Sequence, residues 1–432
     1  MKIGTAAGSL RYAVLKSGGQ VAYCALSISG GTSAEGSRPC GTAHFLEHTL
    51  FKGTDRHNAS WVAGRLDQLG GELNAYTAKE EIVLHATVLK KDLRTALDLL
   101  LELATCPSFP QKEIDVERGV VIDEIRSGKD VPQDEIYDEF EELFFESHPL
   151  SRRILGTASS VRSITREDLC SFVRDNFRPD RMAITVVSGQ EEDYAEALIL
   201  KLAQKYFSTP VPGSIPNPST DSGVGTGPDL GTAPGVAPSA GFAPSASVSV
   251  FSKTVSRRYH EACIVIGAQA PSLFSGKERT VAALLANILG GPATNSLLNL
   301  YLREKKGWVY GIECSYTQYS SIGVMAILIG CEHSNVDNCI SATKKIIGSL
   351  IDKPMSEGKL KAAKRQFLGQ MGIAADNGES LCLSMGKSLL AFGKVSTLQQ
   401  NVEAVESVTV SDIQEMARRI FSLEKISTLI YR

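Results

Sequence analysis

A chain of 432 residues is long enough for two or three domains with full cores, and 43% hydrophobic with 22% charged residues is ordinary for a soluble globular protein. Lys and Arg number 45 against 48 Asp and Glu, so the net charge of −3 recruits neither nucleic acid nor an anionic membrane. The start shows no apolar core of signal-peptide length before polar residues appear, and no run of about eighteen apolar residues occurs, so the expectation is a chain neither exported nor membrane-spanning. Nine cysteines lie scattered from Cys24 to Cys382 with no Cys-x-x-Cys, which predicts reduced thiols in a cytoplasmic setting.

The first predicted element is a strand over 21–28. A helix follows, and it carries His44-Phe45-Leu46-Glu47-His48. Positions i and i+4 share a helix face, so His44 and His48 can point at one ion, with Glu47 beside it. Two neutral imidazoles suit zinc, and the adjacent carboxylate can take a proton from water. The order His-x-x-Glu-His is the inverted zincin motif. Gly41-Thr42-Ala43 precede it and Leu50-Phe51-Lys52-Gly53-Thr54 follow. With these flanks the stretch resembles the insulinase/pitrilysin peptidases, which include the mitochondrial processing peptidases. Thr49 stands where that family usually has methionine.

Next come Gly70-Gly71-Glu72-Leu73-Asn74-Ala75-Tyr76-Thr77, similar to the family's G-G-x-x-N-A-x-T. The resemblance implies an edge strand near zinc on which a peptide substrate lies as an added strand. An unpaired edge does offer backbone donors and acceptors to an extended chain, and Asn74 can add a hydrogen bond. A strand over 81–88 follows, opening with Glu81, which matches an acidic position of the family without an evident role.

The next helical stretch holds Glu117, Asp123 and Glu124. Glu117 and Glu124 are two helical turns apart and share a face, which Asp123 does not. A catalytic zinc needs a third protein ligand and an open fourth position. Glu124, 76 residues after His48, matches the family's glutamate ligand, and Glu117 its orienting glutamate, which bonds a ligand histidine or a water. His148 lies in a loop that also resembles the family and belongs to no ligand spacing. It reads as structural. A strand over 183–187 ends the first half.

Residues 210–250 contain 8 of the 17 prolines, 7 glycines and only two charges, Asp221 and Asp229, so this segment reads as a linker between separate folding units. The second half repeats the pattern: strands over 262–267, 311–316, 324–329 and 427–431, and a helix over 279–289. Apolar runs alternating with amphipathic helices predict α+β domains with mostly antiparallel sheets. The second half lacks His-x-x-Glu-His, and the Cys331, Glu332, His333, Cys339 cluster fits no metal template. Leu302-Arg303-Glu304-Lys305-Lys306-Gly307-Trp308-Val309-Tyr310 resembles the family's L-R-E-x-x-G-L-x-Y, with Trp308 in place of leucine. The resemblance implies that Arg303 and Tyr310 reach the substrate carbonyls, where a guanidinium and a phenol can stabilise an oxyanion.

Taken together, the expectation is a catalytic domain over 1–209 and a homologous domain over 251–432, and the resemblance implies that the second is metal-free and that the chain is half of a clamshell with a second subunit. It is a zinc metalloendopeptidase with one ion per chain, held by His44, His48 and Glu124, with Glu47 as base. Its substrates are unfolded peptides. It works as a homodimer, or as a heterodimer with a homologous subunit. The alternatives are a non-catalytic assembly or binding subunit, which would lack a ligand or base that is present here, and a narrow-specificity presequence processor.

Overall fold

The computed structural model describes residues 1–207 and 248–432. The first sheet contains β1 (Lys2–Thr5), β2 (Arg11–Lys16), β3 (Val21–Ser29), β4 (Glu72–Thr77), β5 (Glu81–Leu89) and β6 (Met182–Ser188). Helices α1 (Thr42–Leu50) and α2 (Ala59–Asp67) separate β3 from β4. Between β5 and β6 run α3 (Leu93–Thr105), α4 (Gln111–Gly128), α5 (Pro132–Phe145), α6 (Ala158–Ser163) and α7 (Arg166–Asn176), and α8 (Glu192–Phe207) follows β6. The spatial order is β1-β2-β6-β3-β5-β4, antiparallel throughout except for the parallel pair β2/β6.

The second sheet contains β7 (Ser252–Val255), β8 (Ala262–Ala270), β9 (Val309–Gln318), β10 (Gly323–Cys331) and β11 (Ser427–Tyr431). Helix α9 (Lys277–Gly290) and a π-helical turn, Asn299–Lys305, lie between β8 and β9. Helices α10 (Val336–Asp352), α11 (Glu357–Asp376), α12 (Gly378–Phe392), α13 (Leu398–Glu406) and α14 (Val410–Ile420) lie between β10 and β11. The order is β7-β11-β8-β10-β9, with β7/β11 parallel and the rest antiparallel. With β1 set aside, the first sheet repeats this order strand for strand, so the chain is two α+β domains of one topology. Edge strand β4 of the first corresponds to edge strand β9 of the second.

Both sheets are covered on both faces, which is why their central strands read as nearly unbroken apolar runs. On β3, Cys24, Leu26 and Ile28 join the core built by α1, α3 and α7, while Ala25 points the other way, toward Cys382, Met385 and Leu389 of α12. On β8, Ile264 and Ile266 join the core of α9 and α14, while Cys263 and Val265 meet Ile136, Phe140 and Phe144 of α5. Each half thus lends one helix to the other's sheet. Glycine permits the close approach at both contacts. A Cβ on Gly267 would fall 2.4 Å from the Phe140 ring, and one on Gly386 2.5 Å from Ser27 Oγ. Fully burying phenylalanines such as Phe140 and Phe144 contributes roughly 1.5–3 kcal/mol each, so the exchange helps hold the halves together.

Every strand expected from the sequence lies within an observed strand. The expected linker lies outside the described residues except at 248–250, where Ser249 N–H donates to Phe144 O at 2.9 Å. Among the described residues no helix is long and apolar enough to cross a membrane. All nine cysteines are free thiols.

Candidate metal centre

Helix α1 begins at Gly41, whose φ of 90° turns the chain sharply into the first helical turn. Ala43, Phe45, Leu46 and Leu50 bury completely in the first core. That fixes the roll of the helix and turns His44, Glu47 and His48 toward α4 and the end of β4. Thr49, the departure from the family pattern, is buried and donates back to the carbonyls of Phe45 and Leu46 at 3.0 Å, so it leaves no unmet hydroxyl.

Helix α4 packs against α1 and presents Glu124. Its Oε2 lies 3.4 Å from His48 Nε2 and 3.7 Å from His44 Nε2. One potential ligand atom from each of the three residues falls within 4.8 Å of the others. Among the described residues this is the one group of three or more side chains able to hold a metal. Burial, reinforced by His48, pushes His44 down to about 4, so its imidazole is neutral at pH 7 with a lone pair to give. Its Nδ1 is buried without a hydrogen-bond partner among the described residues. His48 differs: Nδ1 lies 3.1 Å from Glu117 Oε2, which selects the tautomer that aims a lone pair from Nε2 at Glu124. Lys52 Nζ lies 2.7 Å from Glu117 Oε1, so the buried carboxylate is shared between the ring and an ammonium. Two imidazole nitrogens and one carboxylate oxygen make a donor set suited to zinc. The Glu124 side chain is 43% exposed, so the cluster opens to solvent on one side.

Glu47 is fixed from the neighbouring strand. Thr77 Oγ1, at the end of β4, donates to Glu47 Oε2 at 2.6 Å. Burial raises the Glu47 pKa, and the Thr77 bond partly offsets the rise. Thr77 is the functional contact that sequence reasoning missed. It closes the G-G-x-x-N-A-x-T stretch, and that position was its only signal.

The remaining candidates are dispersed. Asn74 is exposed on edge strand β4, opposite His85 of β5. Glu81 is buried beneath the sheet, 3.6 Å from Lys387 of α12. Asp123 pairs with Arg126 at 2.8 Å, on the surface. His148 accepts the Leu150 N–H at 3.1 Å and caps the short turn Pro149–Ser151. Arg303 is exposed on the π-helical turn before β9. Tyr310 is 58% exposed on β9, and its hydroxyl donates to Glu332 at 3.3 Å. No hydrogen bond or ion pair among the described residues joins Arg303 or Tyr310 to the three-ligand cluster.

The family model for insulinase (peptidase family M16) matches residues 12–158, which include every residue of this cluster. The model named peptidase M16 inactive domain matches residues 163–367. The chain belongs to the M16 insulinase family. An uncharacterized zinc protease of Mycobacterium tuberculosis is 28% identical to this M16 chain over 392 residues, covering 91% of it and 84% of the relative. The uncharacterized zinc protease YmxG of Bacillus subtilis is 26% identical over 420 residues, covering 96% and 95%. Among solved structures, a protease from Helicobacter pylori has a TM-score of 0.85 at 18% identity and covers 100% of this chain and 99% of its own. A peptidase M16 inactive domain from Pseudomonas fluorescens has a TM-score of 0.84 at 16% identity, covering 100% and 97%. These likenesses show the two-domain fold.

Proposed function

We propose that the chain is a zinc endopeptidase that hydrolyses extended, unfolded peptides, its first half catalytic and its second half the metal-free counterpart. The observation that carries this reading is the convergence of His44, His48 and Glu124 beside a Glu47 carboxylate held by Thr77. A zinc ion, when bound, polarises water and the scissile carbonyl. The chain's own residues do the rest. Glu47 accepts the proton of the attacking water and returns it to the leaving amine. Thr77 holds the carboxylate in reach of that water, and Glu117 holds the His48 ring. The outer edge of β4 receives the peptide backbone as an added strand, with Asn74 contributing a side-chain hydrogen bond. A non-catalytic subunit would lack a ligand or the base, and all four are present.

The test is metal analysis of the purified chain together with cleavage-site mapping on a mixed peptide library. The expected outcome is about one zinc per chain and cleavage that a chelator removes and zinc restores. A zinc-loaded chain that cleaves nothing would overturn the reading.

The second half completes the site in this proposal. Support comes from topology: Tyr310 stands on β9, the strand that corresponds to β4, and Arg303 on the turn that leads into it. Arg303→Ala and Tyr310→Phe should each lower kcat/KM on one quenched peptide by on the order of 1–3 kcal/mol of transition-state stabilisation, with zinc content unchanged. Parental kinetics in both variants would make the second half scaffold only. A second subunit, identical or homologous, encloses the chamber. Nine free thiols fit a reducing, cytoplasmic compartment.

A further inference from the structure

The first turn of α1 is held by side chains that lie outside the helix. Glu35 is fully buried, and its Oε1 accepts the Ala43 N–H at 3.0 Å, one residue before His44. A carboxylate at a helix N-terminus meets both the free amides and the favourable end of the dipole. Arg152 Nη1 donates to Glu35 Oε2 at 2.9 Å, and the same guanidinium reaches the carbonyls of Gly36 at 2.6 Å and Arg38 at 2.9 Å. Arg152 is itself anchored through its own carbonyl, which accepts from Lys79 Nζ at 2.6 Å.

Lys79 is only 3% exposed and lies two residues beyond Thr77, in the turn between β4 and β5. Its ammonium pairs with Glu141 of α5 at 3.2 Å, and Glu141 is 2% exposed. The other Glu141 oxygen accepts the Tyr319 hydroxyl at 2.6 Å. Tyr319 belongs to the turn between β9 and β10, in the second half. Beside it, Glu80 accepts the Ser320 N–H at 2.8 Å and also the Ser320 hydroxyl. One buried polar chain therefore runs from the second half's edge hairpin to the strand end that holds Glu47, and on to the helix start that holds His44.

Stability does not account for such a chain. A buried Lys–Glu pair must recover the cost of leaving water, and apolar residues of similar volume often do as well or better. What hydrogen-bonded charges add is register. An apolar contact tolerates sliding, whereas this set is satisfied in a single alignment of the hairpin, the turn and α5. We propose that Lys79 and Glu141 are positioning residues for the metal centre. They lock the β9–β10 hairpin of the second half against the β4–β5 turn, and so fix Glu47 and the first turn of α1. This inference rests on the reading that α1 carries the ligands and the base of a peptidase.

The deciding variant is Lys79→Met/Glu141→Leu/Tyr319→Phe, which replaces the buried group by apolar side chains and leaves no lone charge among them. Its thermal unfolding midpoint should lie within a few degrees of the parent's, the one bond lost outside the replaced group being that from Lys79 to the Arg152 carbonyl. On a quenched peptide, kcat should fall at least about tenfold while KM stays within about twofold, the split expected when the reacting groups are misplaced and binding is spared. In the metal-free proteins, hydrogen exchange at the Ala43 and His44 amides should be at least about tenfold faster in the variant, with the β8 and β10 amides unchanged. Tyr319→Phe alone keeps the ring and removes only its bond to Glu141, so it should show the same split at about threefold. A stable triple variant with parental kcat and parental exchange at α1 overturns the inference, as does parental behaviour of Tyr319→Phe if the triple variant fails to fold. If the parent itself cleaves no peptide, the peptidase reading fails, and the exchange measurement still decides the positioning role.

Discussion

Glu47→Gln should retain zinc and lose nearly all turnover. Glutamine has almost the same shape, and its side-chain carbonyl can still accept the Thr77 hydroxyl that now binds Glu47 Oε2 at 2.6 Å. The histidine and Glu124 donors are untouched, so metal content should equal that of the parent. In the proposed mechanism, what disappears is the ability to take a proton from water and deliver it to the leaving amine. General acid–base groups are commonly worth about 10²–10⁴ in rate, or roughly 3–5 kcal/mol of barrier. The fall should appear in kcat and kcat/KM together, because the carboxylate acts in the transition state and not in holding the substrate. Zinc content by mass spectrometry and turnover of one quenched peptide check it. A variant with parental turnover would move the base to another residue.

The parts of this chain that were legible in its sequence are those written into short windows. The strands at β3, β5, β6, β8, β10 and β11 show because they are buried on both faces, so each is a run of apolar residues between polar turns, while edge strand β9 shows by the alternation of Ile312, Cys314 and Tyr316 with Gly311, Glu313 and Ser315. β7 is four residues, Ser-Lys-Thr-Val, on a sheet edge, and its polar, exposed face carries no such signal. The candidate metal centre shows because His44, Glu47 and His48 share one helical turn. Glu124 does not follow from any window, since only the packing of α4 on α1 brings it to the histidines. The resemblance supplied that distance.

The exchanged helices were not legible for the same reason. Phe140 and Phe144 mark α5 as amphipathic, but nothing in that pattern says that their partners are Cys263 and Val265, more than a hundred residues away. Lys79, Glu80 and Arg152 look like ordinary solvated charges in turns. Lys79 is buried, and Glu80 and Arg152 half-buried, only once α5 and the β9–β10 hairpin close over them. The residues hardest to read are thus those whose partners come from the other half, and they line the path by which that half meets α1.

The carboxylates of α4 provide the sharpest test of the ligand set, because three of them stand within two turns with different surroundings. Glu124 is placed 3.4 Å and 3.7 Å from the two imidazole nitrogens, with no cation bonded to it among the described residues. Removing its charge should therefore act on the metal directly. Glu124→Gln should weaken zinc binding by more than about 100-fold, beyond the 10–100-fold typical when only a partner of a ligand is lost. Glu117→Gln should fall within that smaller range, since Glu117 acts through His48 Nδ1 and is shared with Lys52. Asp123→Asn should change nothing, because Asp123 faces solvent and pairs with Arg126. Zinc competition against a chelator, run on all three variants with their unfolding curves alongside, orders the three side chains. Equal affinities for Glu124→Gln and Asp123→Asn would remove Glu124 from the ligand set. A larger loss in Glu117→Gln than in Glu124→Gln would make Glu117 the ligand and reverse the roles of the two glutamates.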